Sequence, residues 1–374
     1  MSPEILDEYR PYYDNEVPAA VHRIAQDILF PRIIQFLFPE KDLRGFLEEF
    51  KQIKTVDDFQ VKIMNQAISS IVEKTITNLS YTGTETLTNE KSYMFVSNHR
   101  DIVLDSAILQ TILYANGIKT SEITFGSNLM RPQIVVDIGK INKMFKIIRG
   151  GTAREIFFNS YNVSEYMRYA ITEKRQSTWI AQRNGRTKDG ADKTEIAVLK
   201  MLAMSSQKPF VENLGELNIT PIAVSYEYEP CDFLKTKEIY VSRRQAYQKA
   251  PGEDLNSILQ GILQFKGNMH YTICETLTFE ELSICAKQPR SERFKYLASI
   301  IDKKIFAGYK LWKSNYIAYD ILHKSSKFST FYNNDDREKF IEYMHNGLSL
   351  LDGDYNEFQE IFLKIYANSV ENCL

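Results

Sequence analysis

Within seven residues of the stretch Met94-Phe95-Val96-Ser97-Asn98-His99-Arg100-Asp101-Ile102-Val103-Leu104-Asp105-Ser106 stand an imidazole, a guanidinium and two carboxylates. An apolar run leads straight into Asn98-His99, and an amphipathic, helix-like run follows. His99 is therefore expected at the C-terminal end of a strand, the edge where open α/β sheets bind ligands. Imidazole is the side chain best suited to accept a proton near neutral pH. A general base needs a partner that fixes its tautomer and stabilises the imidazolium that forms. Asp101 and Asp105 are both near enough in sequence. The plainer alternative is an N-capping Asp101 beside an incidental surface histidine.

Three further clusters carry potential chemistry. Lys140, Lys143, Lys146 and Arg149 recur every third residue and lead into Gly150-Gly151. A guanidinium beside residues that let backbone approach closely suits a phosphate, because the planar fork matches two oxygens; the alternative is a solvated basic face. Trp179-Ile180-Ala181-Gln182-Arg183-Asn184-Gly185-Arg186 is a second apolar run ending in cations and a glycine. Ile219-Thr220-Pro221-Ile222-Ala223-Val224 reads as a strand whose proline is structural. The string His99-Arg100-Asp101 with Thr124-Phe125-Gly126 imitates two protein-kinase motifs. It lacks a glycine-rich phosphate loop upstream, and Thr124 stands where a metal-binding acid is required.

The elements that must position these residues differ along the chain. Residues 1–85 contain only two glycines and space their apolar side chains helically, as in Val21, Ile24, Ala25, Ile28 and Leu29. From 86 to 280, short apolar runs alternate with helix-like stretches, the pattern of an α/β layer. The expected strands are Ser92–Ser97, Ile123–Ser127, Phe145–Ile148, Thr178–Gln182, Ile219–Ser225, Ile239–Ser242 and His270–Cys274. Residues 281–374 turn helical again, with Asn333-Asn334-Asp335-Asp336 as a turn and N-cap. The expected fold is thus α/β: a mixed, largely parallel sheet flanked by helices, with helical N- and C-terminal regions.

Composition narrows the function. The 374 residues carry 46 basic and 48 acidic side chains, without the basic surplus that binding to nucleic acid requires. The four cysteines show no zinc spacing and fit a reducing, cytoplasmic compartment. The first eight residues hold three acids and no base, unlike a secretory or mitochondrial leader. No apolar run is long enough to span a bilayer. Leu29 to Phe38, with Arg32 among apolar residues, could lie in a membrane interface, the plainer reading being an ordinary helix packed on the core.

Taken in order, the four blocks resemble the glycerolipid acyltransferase superfamily, of which bacterial 1-acylglycerol-3-phosphate acyltransferase is a familiar member. That family carries Asn-His, four residues and an Asp; an apolar block ending in Arg; a Phe-Pro-Glu-Gly-Thr-Arg-like block; and a Val-Pro-like strand. The counterparts are Asn98-His99 to Asp105, Ile147-Ile148-Arg149-Gly150, Ala181 to Arg186, and Thr220-Pro221-Ile222-Ala223, across about 85–280. The chain departs twice: five residues separate His99 from Asp105, so Asp101 stays open as the partner, and Asn184 replaces the family glutamate. The resemblance implies an enzyme of phospholipid biosynthesis, an O-acyltransferase. It would move a fatty acyl group from acyl-CoA or acyl carrier protein to the hydroxyl of a phosphorylated glycerol such as 1-acylglycerol-3-phosphate. It implies His99 as general base with Asp105, and Arg100, Arg149, Asn184, Gly185 and Arg186 around the acceptor phosphate. No metal and no cofactor beyond the thioester co-substrate is implied. The partners would be acyl donor, lipid acceptor and membrane surface, on the inner face of the cell membrane. Acylation of a different lipid acceptor, such as an amino-acid lipid, or an inactive lipid-binding relative are the alternatives.

Overall fold

The computed structural model describes residues 3–148 and 150–374. Seven strands form one sheet: β1 Ile76–Thr82, β2 Met94–Ser97, β3 Glu122–Gly126, β4 Met144–Ile147, β5 Thr178–Ala181, β6 Ile219–Tyr226 and β7 Gly267–Ile273. Their spatial order is β1-β7-β6-β2-β5-β3-β4. Among the described residues every neighbouring pair is parallel except β6 with β7. The fold is α/β, a mixed and largely parallel sheet flanked by helices, with helical segments at both ends of the chain.

The central strands are apolar on both faces because helices cover both. Every residue of β2, β5 and β6 is buried. On one face Phe95 and Trp179, paired in register, pack against Leu104, Ile108 and Ile112 of the helix Leu104–Ala115. On the other, Met94, Val96 and Ile180 pack with Tyr166, Leu199, Leu297 and Ile301. Pro221 sits one residue before the β6–β7 pairing begins, and its carbonyl accepts from the Cys274 amide. A strand residue without an N–H is tolerated there.

Two expectations fail, each for a physical reason. β1 lies within the N-terminal 85 residues and pairs in parallel with β7, so that region is not wholly helical. Only Ile76 of its seven residues is buried; as an edge strand it shows no apolar alternation for sequence reading to find. Conversely, Ile239–Ser242 is the end of the helix Asp232–Ser242, not a strand. Its β-branched residues suit a pleated surface, but buried Lys235 and Thr236 and packing on the helix Tyr355–Asn372 hold the segment helical. The Asn333 side chain caps its helix as expected, accepting from the Asp336 amide at 2.8 Å. No helix among the described residues is long and apolar enough to cross a membrane.

The loop between β5 and the helix Ile196–Ala203 rests on the C-terminal helix at Gly190. That residue has φ +75°, and a Cβ there would come within 2.2 Å of the Ile365 carbonyl oxygen. Gly185 in the same loop has φ +80° but open space at the Cβ position. Alanine at either site carries the ~1–2 kcal/mol cost of left-handed backbone; only at position 190 does it also meet main chain. Gly190→Ala is therefore expected to lower the chemical-denaturation midpoint more than Gly185→Ala. Equal midpoints would refute the contact with the C-terminal helix.

Candidate active site

At the end of β2 the chain turns through Asn98, His99 and Arg100 before the helix Leu104–Ala115 begins. Asn98 ties this turn to β6: its amide Nδ2 donates to the Val224 carbonyl at 3.0 Å, and its Oδ1 accepts from the Val224 N–H at 2.8 Å. Arg100 is buried. Its Nε and Nη2 donate to Asp192 Oδ2 at 2.9 and 2.5 Å, and its Nη1 donates to Glu229 Oε2 at 2.8 Å. Lys235 completes the cluster, donating to Glu229 Oε1 at 2.5 Å and to the Arg100 carbonyl at 2.8 Å. Two cations and two carboxylates thus balance, which is what permits their burial.

Between Asn98 and Arg100, both bound to Asp192 Oδ2, His99 projects the opposite way. Its Nδ1 lies 2.9 Å from Asp105 Oδ2. The ring meets Trp179 edge-on at a centroid distance of 5.5 Å, and the side chain keeps 12% of its surface exposed. Among the described residues nothing hydrogen-bonds Nε2.

Asp105 is fully buried and fully satisfied. Besides the imidazole, Oδ2 accepts from the amides of Arg100 at 2.5 Å and Asp101 at 2.9 Å, and Oδ1 accepts from the Tyr226 hydroxyl at 2.7 Å. Burial pushes this carboxyl up, but the hydrogen bonds from His99, Tyr226 and the backbone outweigh it and leave the group below its ordinary value. An ionised Asp105 requires the proton on Nδ1 and so leaves a lone pair on Nε2.

Asp101 does not meet the imidazole. Its Oδ1 accepts from the amides of Val103 and Leu104 at 2.8 and 2.7 Å, at the start of the helix that carries Asp105, whose N-cap residue is Val103. Its Oδ2 is buried without a partner, facing Gly261, and burial and the neighbouring Asp105 raise its pKa. Asp101 thus holds the turn into the helix without being its N-cap residue, and the imidazole pairs with Asp105.

The residues expected at an acceptor phosphate scatter. Arg100 is a correction: its guanidinium is consumed by Asp192, Glu229 and the Ser369 hydroxyl, and no face of it reaches an open surface. Arg149 lies outside the described residues. Asn184 is exposed, and its amide donates to Glu195 Oε2 at 3.1 Å. Gly185 supplies the left-handed turn that brings Arg186 back toward the site. Arg186 is half-buried, with Nη1 buried and unpartnered, within electrostatic reach of Asp101 and Cys231. The Thr187 amide donates to the His99 carbonyl at 2.7 Å, which ties this loop to the histidine turn.

Sequence reasoning passed over Asp192, Glu229, Lys235, Tyr226 and Tyr309. Their partners are distant in the chain, and only an acid in the buried end of a polar loop hinted at any of them. Among the described residues no group of three or more His, Cys, Asp or Glu is placed to hold a metal ion.

No family model matches the sequence, and no curated protein matches it significantly. Among solved structures it is similar to the 1-acyl-sn-glycerophosphate (LPA) acyltransferase PlsC from Thermotoga maritima. Identity is 11% and the TM-score 0.38, over 77% of this chain and 93% of that one. Likeness of that size bears on neither activity nor substrate, which must be read from the side chains.

The depressed Asp105 carboxyl has a pH signature. A group whose folded pKa lies below its unfolded value stabilises fully above the unfolded value of ~3.9, and that contribution is lost as pH falls through the folded value. The stability gap between wild type and Asp105→Asn is expected to stay constant from neutrality to about pH 5 and to shrink below about pH 4. A gap that widens on acidification in urea titrations would contradict the hydrogen-bonded carboxylate.

Proposed function

We propose that the protein is an O-acyltransferase moving a fatty acyl group from an acyl thioester to the hydroxyl of a phosphorylated glycerol acceptor, with His99 as general base. The observation that carries this reading is the bond from His99 Nδ1 to a buried, ionised Asp105 at 2.9 Å, leaving Nε2 unpartnered at the end of a central strand. The motif order around that pair, which resembles the glycerolipid acyltransferases, supplies the reaction class.

In this mechanism Nε2 removes the proton of the acceptor hydroxyl as its oxygen attacks the thioester carbonyl. The new C–O bond forms, the C–S bond breaks, and the departing thiolate takes the proton back from the imidazolium. Asp105 stays ionised throughout, because Tyr226 and two amides hold it so without sharing its role. A positioned base of this kind contributes ~10²–10⁴ in rate. The acceptor's phosphate is assigned to Arg186, a reading supported by its buried, unpartnered Nη1, and to Arg149 from its motif.

The lipid acceptor would be met at a membrane surface, the cytoplasmic face in this reading. The helix Phe30–Leu37 supports it in part. Phe30 and Ile34 are packed on the core, while Ile28, Leu29 and Phe36 remain exposed beside Arg32.

His99→Asn is expected to lower thioester-dependent acylation of 1-acylglycerol-3-phosphate at least ~10²-fold with the melting temperature unchanged. Normal turnover in that variant would remove the mechanism. Arg186→Ala should raise the KM for the acceptor while leaving the KM for the thioester and kcat nearly unaltered. An unchanged acceptor KM would free Arg186 of its phosphate role.

A further inference from the structure

A cavity of about 430 Å³ opens at the edge of the sheet opposite His99. It lies where β3, β4 and β5 begin, whereas His99 stands where β2 ends. The helix Leu104–Ala115 links the two edges: Asp105 is in its first turn, and Ala107, Gln110 and Thr111 line the cavity further along. From Asp105 to Thr111 the helix rises ~9 Å, so the two places are separated by most of the sheet's depth.

One wall is apolar. Val61, Met64 and Ile68 come from the helical segment 60–75, and Ala107 and Ile118 face them. The segment Gln60–Met64 is a π-helix, whose wider turn is frequent at functional sites. Its buried Gln60 fixes the floor, accepting from the Thr120 hydroxyl at 2.8 Å and donating to Asn142 Oδ1 at 3.2 Å.

The rim is cationic. Lys119, Lys143, Lys174 and Arg175 line it against the single acid Asp57, four charges to one, in a chain of net charge −2. Lys174 is paired with buried Glu122. Lys143 donates to Thr120 Oγ1 at 2.8 Å and stands 3.4 Å from the largely exposed Asp57. Burial lowers its pKa, outweighing the opposing attraction of Asp57. Among the described residues neither Arg175 nor Lys119 has a side-chain partner. Both Lys143 and Arg175 hold left-handed backbone, at φ 58° and 56°. Left-handed backbone at long side chains is strain that a fold retains where it serves a site.

We propose that this cavity binds an anionic amphiphile of small-molecule size, its apolar body against Val61, Met64, Ile68 and Ala107 and its carboxylate or phosphate against Lys119, Lys143, Lys174 and Arg175. The volume is that of a small-ligand pocket, and apolar walls with a few convergent polar groups are the usual make-up of one. The site owes nothing to His99, and its occupancy is separable from the acyltransferase reading.

Isothermal titration of the full chain with decanoate, decyl phosphate and inorganic phosphate tests this. Saturable binding of at least one decyl compound is expected, at least ~tenfold tighter than inorganic phosphate. A carboxylate preference would point to free fatty acids and a phosphate preference to phosphoester lipids. Thr111→Trp, which fills the cavity from the helix side, and the pair Lys119→Gln with Arg175→Gln should each weaken that binding at least ~tenfold. His99→Asn should bind as wild type does, and Thr111→Trp should keep the wild-type melting temperature. Absence of saturable binding, inorganic phosphate binding as tightly as the amphiphiles, or affinity unchanged in either cavity variant would overturn the proposal.

Discussion

One carboxylate oxygen organises the candidate catalytic edge. Asp192 Oδ2 accepts from the Asn98 amide, from two nitrogens of Arg100 and from the Tyr309 hydroxyl. The residues on either side of His99 are thereby tied to the same atom, and the histidine backbone between them has little freedom left. Because Asp192 belongs to the loop after β5, Glu229 to the chain leaving β6 and Ser369 to the last helix, the cluster joins distant segments at the end of β2. Removing one member would leave a buried charge uncompensated, at a cost of about 3–5 kcal/mol. The C-terminal region is thus more than a cover for the sheet: Tyr309, in the loop after the helix Arg293–Ala307, binds Asp192, and Ser369 of the last helix binds Arg100.

That rigidity is what lets a single Nδ1–carboxylate bond define the imidazole. Asp105 is held by four donors, three of them independent of the imidazole. Its position is set before any substrate arrives, and the ring turns to meet it. The tautomer follows from charge: an acceptor-only carboxylate at Nδ1 leaves the basic lone pair on Nε2. Asp101 shows the contrast. It is buried beside Asp105 with one oxygen unpartnered: burial and its charged neighbour raise the Asp101 carboxyl, whereas at Asp105 hydrogen bonds outweigh burial and lower it.

The helix Leu104–Ala115 gives the molecule two chemically different ends. Its first turn carries the acid of the candidate catalytic pair, while its later turns form a wall of the cationic cavity. The sheet separates an edge where positive charge is neutralised by buried acids from one where lysine and arginine side chains remain in excess. Net charge, close to neutral over the whole chain, conceals this asymmetry.

Much of the fold was legible in the sequence because a parallel sheet covered on both faces requires continuous apolar runs. Phe95-Val96, Trp179-Ile180 and Ile222-Ala223-Val224 are such runs. β1 was not legible, since an edge strand with one buried residue leaves no such record, and Ile239–Ser242 misled because local β preference yielded to packing. The sequence by itself determined that an imidazole would end a central strand with acids close behind it, since local spacing fixes which residues share a turn. Only the tertiary structure decided that Asp105 takes the imidazole, that Asp101 holds the turn into the helix and that Arg100 turns inward. Those outcomes depend on Tyr226, Asp192 and Glu229, between 90 and 130 residues away, and no local pattern encodes which distant donor or acceptor closes on a buried charge.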